Sequence, residues 1–428
     1  MKNYYNQIVA TQNVKDAFAE LKEKFFNPVS QKYALGSLAR GIDGMSFSIF
    51  HRKTFKILNQ IRKELASFSA PMPSIDLLIP KSSNPNKFRT ISISALKEKI
   101  KHHAVYRIIE PVCETIYEDN LYSYRSKMGA YNAMKDFRRK LLFSGKSYYI
   151  FKVDMKDYFD NLDHEILLGL IDKYFNDKNL TKLIKVFIKQ KRIVGNDFVV
   201  NQKGVIQGIS ISALLANLYL LELDRDMAKK GEIYFRVGDD IIIMKENEAE
   251  IKKTADFVIN YLINERKLPI NYEKTKIFSP SEPFEYLGYE IQGKTIRIAK
   301  RNFERLKMKL RVKLNKKLSK NINYNKVNQN QLLKEIFELI YPKGRLPDHI
   351  MWLRYFTLTN DVKQLKEIDD FIENRIRLVF IGRQRNKRFG ILPLSLLKKF
   401  GYISLSKIYH DITRGRKTFS DYVIQFKS

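Results

Sequence analysis

Cysteine is almost missing from this sequence: Cys113 stands alone among 428 residues. An internal disulfide is therefore impossible, and a Cys-rich zinc module is excluded. A single buried thiol suits a reducing cytoplasm. The N-terminal stretch carries charges throughout and lacks the apolar centre of a signal peptide. The longest apolar stretch, Ile209–Leu223, is interrupted by serine and by Asn217 and is too short to span a bilayer. No repeat of fixed period and no low-complexity linker occurs. Acidic residues are scarce beside basic ones, 46 against 78, which leaves a formal net charge of +32. The expectation is a soluble cytoplasmic protein with an anionic partner that screens its self-repulsion. Nucleic acid is the first candidate and an anionic membrane surface the second.

What is present is enough to fold. Hydrophobic residues make up 44% of the chain, which excludes wholesale disorder and allows two or three packed lobes. Residues 1–70 read as helical, interrupted near Gly36 and at Gly41-Ile42-Asp43-Gly44. Ile75–Ile79 and Phe88–Ile93 flank a turn and read as a hairpin carrying Lys81, Lys87 and Arg89. A helix is expected from Leu96 to Glu110, stopped by Pro111. Ser147–Asp154 is β-prone, and Asp163 is placed to cap a helix reaching Tyr174. Val205–Asp226 reads as a turn leading into one long helix, and Glu248–Glu265 as another. Ile270–Phe278 and Phe284–Ile291 supply short strands. This order suggests a split β-α-β unit, an α+β sheet with helices on one face. From Arg301 onward, Phe303, Leu306, Leu310, Leu314 and Leu318 recur at helical spacing between many basic residues.

The most suggestive stretch is Tyr234-Phe235-Arg236-Val237-Gly238-Asp239-Asp240-Ile241-Ile242-Ile243, two acids at the turn of an apolar hairpin. Neighbouring carboxylates repel by roughly 4 kcal/mol at ~4 Å and an effective dielectric near ~20. On a rigid hairpin they call for a counter-charge, and Mg²⁺ or Mn²⁺ with oxygen ligands is the natural one. Asp-Asp at a loop tip is also ordinary solvated turn chemistry, so the pair needs company to mean more.

That company is found in order along the chain. Phe151-Lys152-Val153-Asp154 through Asp163-His164, Gly204-Val205-Ile206-Gln207-Gly208 through Tyr219, and Arg236–Asp240 resemble motifs A, B and C of bacterial group II intron-like reverse transcriptases. Asn271–Lys276 resembles motif D, and Phe284–Tyr289 the last palm block. Gly41–Ser46, the Ile79–Ile91 hairpin and Asn120–Arg125 resemble earlier blocks. The resemblance implies a right-hand polymerase: fingers over 1–100, palm with interleaved finger segments over 101–292, and a helical thumb over 293–428.

It also implies roles. Asp154, Asp239 and Asp240 would bind two Mg²⁺ ions (Mn²⁺ as a substitute), helped by the carbonyl of Val153 or Met155. Lys87 and Arg89 would meet the dNTP triphosphate. Phe159 would exclude a 2′-hydroxyl, Gln207 and Gly208 would lie under the nascent base pair, and Lys274 would protonate pyrophosphate or ride the surface. Arg125, Arg301, Arg305, Lys309, Lys313 and Lys316 would bind nucleic acid, and the Gly382–Arg388 stretch is strongly basic. His164 reads as packing beside a helix cap.

The match departs from the family at Val237-Gly238, where Tyr-Ala is usual, and at Ser212-Ala213, where Ser-Pro is usual. No Cys/His endonuclease module follows the thumb. The expected role is copying a structured non-coding RNA into DNA within bacterial anti-phage defence. A group II intron-like, CRISPR-linked or retron enzyme and a catalytically idle RNA-binding scaffold are the alternatives.

Overall fold

Runs of Ile, Val, Tyr and Phe bounded by turn residues become the strands that carry the acids. A computed structural model describes residues 3–27, 32–33, 43–45, 50, 54–81, 84–318, 348–381, 393–399 and 401–425. The chain divides into two units, one of residues 1–133 and 148–279, the other of 134–147 and 280–428. The strands that organise the first unit are β1 (Ser74–Lys81), β2 (Asn84–Ile93), β3 (Tyr149–Val153), β4 (Lys191–Val194), β5 (Asp197–Val200), β6 (Ile233–Val237), β7 (Asp240–Lys245) and β8 (Lys276–Phe278).

They form two four-stranded sheets. One has the order β8-β3-β7-β6 and is antiparallel throughout. Its register sets Val153 against Ile241 and Val237 against Asp240. Ile241, Ile242, Ile243 and Met244 are fully buried, so successive residues facing opposite sides of β7 are both covered. Helix Glu248–Asn260 packs on β3, β7 and β8. The second sheet has the order β2-β1-β4-β5, with the β1–β2 hairpin as expected. The β4–β5 hairpin, which joins it through a parallel pairing of β4 with β1, is not foreseen from sequence.

Several expected boundaries shift. Pro111 does not stop its helix, which runs Leu96–Ile116. Ile100, Val105, Ile109 and Cys113 are buried on both sides of the proline, and that packing outweighs one missing hydrogen bond. The expected helix over Val205–Asp226 is two helices, Ser212–Tyr219 and Leu221–Lys229, joined at Leu220. Leu218 through Leu221 are all buried, so the apolar pattern runs through the break without marking it. Asp163 caps helix His164–Phe175, its carboxylate accepting from the N–H groups of Glu165 and Ile166. Ile270–Phe278 keeps only β8 and a Met155–Ile270 bridge as strand, because its middle turns to bond Asp154.

In the second unit, strands Phe284–Tyr286, Tyr289–Gln292 and Thr295–Ile298 form an antiparallel meander. Helix Lys300–Leu318 buries Phe303, Leu306, Leu310 and Leu314 and packs on helix Val362–Ile381. Asp369 of the latter accepts from the N–H groups of Leu405 and Ser406, at 2.6 and 3.0 Å, anchoring the start of helix Leu405–Thr413. Among the described residues, no helix is long and apolar enough to cross a membrane. Half of the Gly41–Ser46 block and all of Gly382–Arg388 lie outside the described residues.

Candidate active site

Antiparallel register brings the three acids to one end of the central strands. Val153 pairs with Ile241, so Asp154, one residue on, lies level with Asp240 across β7. Asp154 is gripped by the turn before β8. Asn271 donates through Nδ2 to Asp154 Oδ2 and through its N–H to the Asp154 carbonyl, both at 2.8 Å. The Asp154 N–H donates to Thr275 Oγ1 at 3.1 Å. Lys274 Nζ lies 3.4 Å from Asp154 Oδ2, and Lys152 Nζ lies 3.6 Å from Asp240 Oδ1.

Asp239 sits at the hairpin turn. Loss of surrounding water, then the Asp240 charge and then that of Asp154, push its carboxyl up to about 6, although Lys274 pulls the other way. Part of the residue surface still opens to solvent, so desolvation of the carboxyl leads the shift and the neighbouring negative charges add to it. Among the described residues, no three His, Cys, Asp or Glu side chains are gathered closely enough to hold a metal ion. Lysine ammonium groups stand beside two of the carboxylates instead. Carboxylate oxygens are the hard donors that Mg²⁺ or Mn²⁺ takes, and the three acids outnumber the two lysines beside them. Of the two carbonyl candidates, Val153 lies within the β3–β7 ladder. Met155 bridges Ile270 through its neighbours' groups, the Asp154 carbonyl and the Lys156 N–H, so its own carbonyl is not used there.

Behind the turn lies a buried ion pair. Arg236 and Asp224 are both fully buried, with Arg236 Nε donating to Asp224 Oδ1 at 2.8 Å. The same guanidinium donates to the carbonyls of Asn217, at 3.0 Å, and Gly238, at 3.3 Å. Tyr234 adds a hydroxyl to Asp224 at 2.9 Å. The turn bearing Asp239 is thus tied from beneath to the helix after the Gly208 loop. Sequence reading missed Arg236 as well as Asn271 and Lys152. An arginine in an otherwise apolar strand was the available signal for Arg236.

The loop after Asp154 is pinned to the segment before Gln207. Val205 N–H donates to the Phe159 carbonyl and Gly204 N–H to that of Leu162, both at 2.7 Å. Gly204 has φ +80°, and a Cβ there would lie 2.6 Å from the Asp160 carbonyl oxygen, so glycine is required. His164 Nε2 bonds the Gly204 carbonyl at 2.7 Å, the packing role expected of it. Phe159 is half-buried, with Tyr124 edge-on to it at 6.1 Å. Tyr124, also missed, has φ +55° and is 49% exposed. A Cβ on Gly238 would lie 3.9 Å from the Tyr124 hydroxyl, so this ring spans from Phe159 to the acidic turn.

Gln207 and Gly208 lie against β2: the Ser92 N–H donates to the Gln207 carbonyl at 3.0 Å. A Cβ on Gly208 would lie 3.2 Å from Ile91 Cγ2. Arg89, two residues before Ile91 on β2, shares that strand face and is exposed. The Lys87 and Lys316 side chains lie outside the described residues. Arg125 departs from the expected interface. It is turned inward to Glu114 at 3.0 Å and to the carbonyls of Glu118 and Leu121, at 2.9 and 3.1 Å, which engages the guanidinium within the protein. Arg301, Arg305 and Lys309 are exposed on helix Lys300–Leu318, Lys313 is half-buried, and Arg301 lies 3.3 Å from Glu285.

Residues 79–291 match the reverse transcriptase (RNA-dependent DNA polymerase) family. Protein YkfC of Escherichia coli strain K12 is 25% identical over 299 residues, covering 61% of this chain and 78% of that protein. The group II intron-encoded protein LtrA of Lactococcus lactis subsp. cremoris is 24% identical over 362 residues, 68% of this chain and 59% of that protein. The retron Ec48 reverse transcriptase of Escherichia coli is 27% identical over 165 residues, 37% of this chain and 38% of that protein. The chain thus spans less than two thirds of the length of the intron and retron relatives.

Proposed function

We propose that this chain, a member of the reverse transcriptase family through residues 79–291, extends DNA from dNTPs on an RNA template with two bound Mg²⁺ ions. The observation that carries the reading is the register that sets Asp154 level with Asp240, beside the turn bearing Asp239. Asp154, Asp239 and Asp240 would hold the ions, which when bound make a primer hydroxyl nucleophilic and stabilise departing pyrophosphate. Asn271 and Thr275 orient Asp154, and Arg236 holds the turn by the Gly238 carbonyl. Arg89 and Lys87 meet the triphosphate, Arg89 in the forked manner of a guanidinium. Gln207 and Gly208 support the nascent pair. Lys274, 63% exposed and next to Asp154, is placed to give a proton to the leaving group. The fingers (1–100), palm (101–292) and thumb (293–428) division belongs to the same proposal, with Arg301, Arg305, Lys309, Lys313 and Lys316 along the nucleic acid.

Primer extension tests the site directly. Asp239→Ala with Asp240→Ala drops DNA synthesis to background while the fold and RNA binding persist; sustained synthesis removes the assignment. Phe159→Ala admits ribonucleotides, read as a fall in the dNTP-to-rNTP incorporation ratio. A wild-type preference for rNTPs defeats the gate.

The biological reading is copying of a cognate structured RNA in bacterial anti-phage defence; the +32 charge and the partial match to a retron reverse transcriptase support the copying of RNA. The longer match to an intron-encoded protein favours an intron-type role as the second reading. Sequencing the RNA and DNA that co-purify with the protein separates the two.

A further inference from the structure

A cavity of about 750 Å³ opens between helix Lys178–Ile188, β5 and the 68–73 segment, sharing no lining residue with the acidic site. Three features of it point to a ligand. Lys182, Lys185 and Lys189 line one wall at helical spacing and are exposed. Among the described residues, no carboxylate lines the cavity, so this positive wall has no acidic counterpart inside it. The floor is apolar, with Phe68 and Pro71, and Phe198 stands 66% exposed at the lining. Gln190 also lines the cavity and is 1% exposed. Its Nε2 donates to the Met72 carbonyl at 2.6 Å, which fixes the amide. Its Oε1 is buried with no hydrogen-bond partner among the described residues.

We infer that this cavity binds single-stranded nucleic acid, taking a base against the exposed Phe198 ring and the strand's phosphates on the lysine wall. Aromatic and apolar surface accepts any base face, and the volume lies in the range of ligand pockets. Lys182 to Lys189 covers roughly 10 Å of helix at ~1.5 Å per residue, so the wall matches charges spread along a strand better than one phosphate group. Lys182 is already held over the Phe68 ring at 4.2 Å, which presets one end of the wall. The site would hold the strand away from the reacting end; it extends the reverse transcriptase reading without depending on the acidic residues.

The test uses the full chain with labelled single-stranded RNA. Lys182→Glu, Lys185→Glu and Lys189→Glu together weaken binding at least ~10-fold and lower the salt slope by about 2, at ~0.7 for each phosphate contact. Extension of a preformed primer–template continues. Phe198→Ala weakens RNA binding but leaves binding of inorganic polyphosphate unchanged, since polyphosphate uses the lysines alone. Photocrosslinks from thiouridine-containing RNA fall on the 182–198 peptide. Unchanged RNA affinity in the triple variant, or crosslinks confined to other segments, overturns the site. Displacement of the RNA crosslink by ATP at matched phosphate concentration makes it a free-nucleotide pocket and overturns the strand assignment. Loss of primer–template extension in a folded triple variant places the lysines on the main template track and overturns a separate site. If wild-type protein makes no DNA while the triple variant still loses RNA, the polymerase reading fails and this one stands.

Discussion

Arg236 and Asp239 stand three residues apart on one hairpin, yet their surroundings are opposite. Arg236 is fully buried, with Asp224, Asn217 and Gly238 accepting its hydrogen bonds. Asp239 is partly open to solvent with two further carboxylates near it, and desolvation, then their charges, raise its affinity for a proton. The first cluster is electrically closed and stabilises the hairpin. The second has three acids against two flanking lysines and keeps a surplus of negative charge, which costs stability. A rigid closed cluster beneath an unbalanced one is how a chain can crowd like charges without the turn giving way.

The largest effect should come from opening the closed cluster. Asp224→Ala strands a buried guanidinium and is expected to cost about 3–5 kcal/mol, seen as a lower urea midpoint. Replacing Asp224 and Arg236 together by Leu and Met should cost less than Asp224→Ala alone; an equal or larger cost would show that the pair does more than neutralise itself. Next is the pinned loop that shapes the site without charge. Gly204→Ala meets the Asp160 carbonyl and a left-handed backbone, for about 1–3 kcal/mol. It should also lower the dNTP-to-rNTP ratio, because the Phe159 carbonyl bonds the next residue, Val205. A stability loss with unchanged selectivity would uncouple the loop from the gate.

The smallest effect belongs to the open cluster. Asp239 has its native carboxyl raised from 3.8 to about 6, so across that window the folded protein binds more protons than the unfolded chain. Its contribution to stability is therefore present at the acid end and is lost as pH rises toward about 6. Urea titrations in a chelator across this range should show that decline, and Asp239→Asn should flatten it. Added Mg²⁺ should restore stability most at the alkaline end. A wild-type slope that Asp239→Asn leaves intact would assign the proton elsewhere.

Much of this was legible in the chain itself. The Tyr234–Ile243 run, the Asp163 cap and the apolar stripe from Phe303 to Leu314 are local patterns, set by side-chain period and turn chemistry, and the folded protein keeps them. Pro111 defeats the local rule because packing on both sides of the proline prevails. The β4–β5 hairpin was missed because its residues are mostly exposed and show no apolar alternation.

Sequence alone determined which residues carry acid, where the strands that hold them begin, and that the chain is strongly basic. Tertiary structure decided which partners those residues have. Asn271 reaches Asp154 across 117 positions, Arg236 fastens the acidic turn to Asn217, and Arg125 faces Glu114 instead of solvent. Spacing along a chain reports periodicity over a few residues. The partner of a given hydrogen-bonding group depends on how distant segments close on one another, and no local pattern encodes that distance.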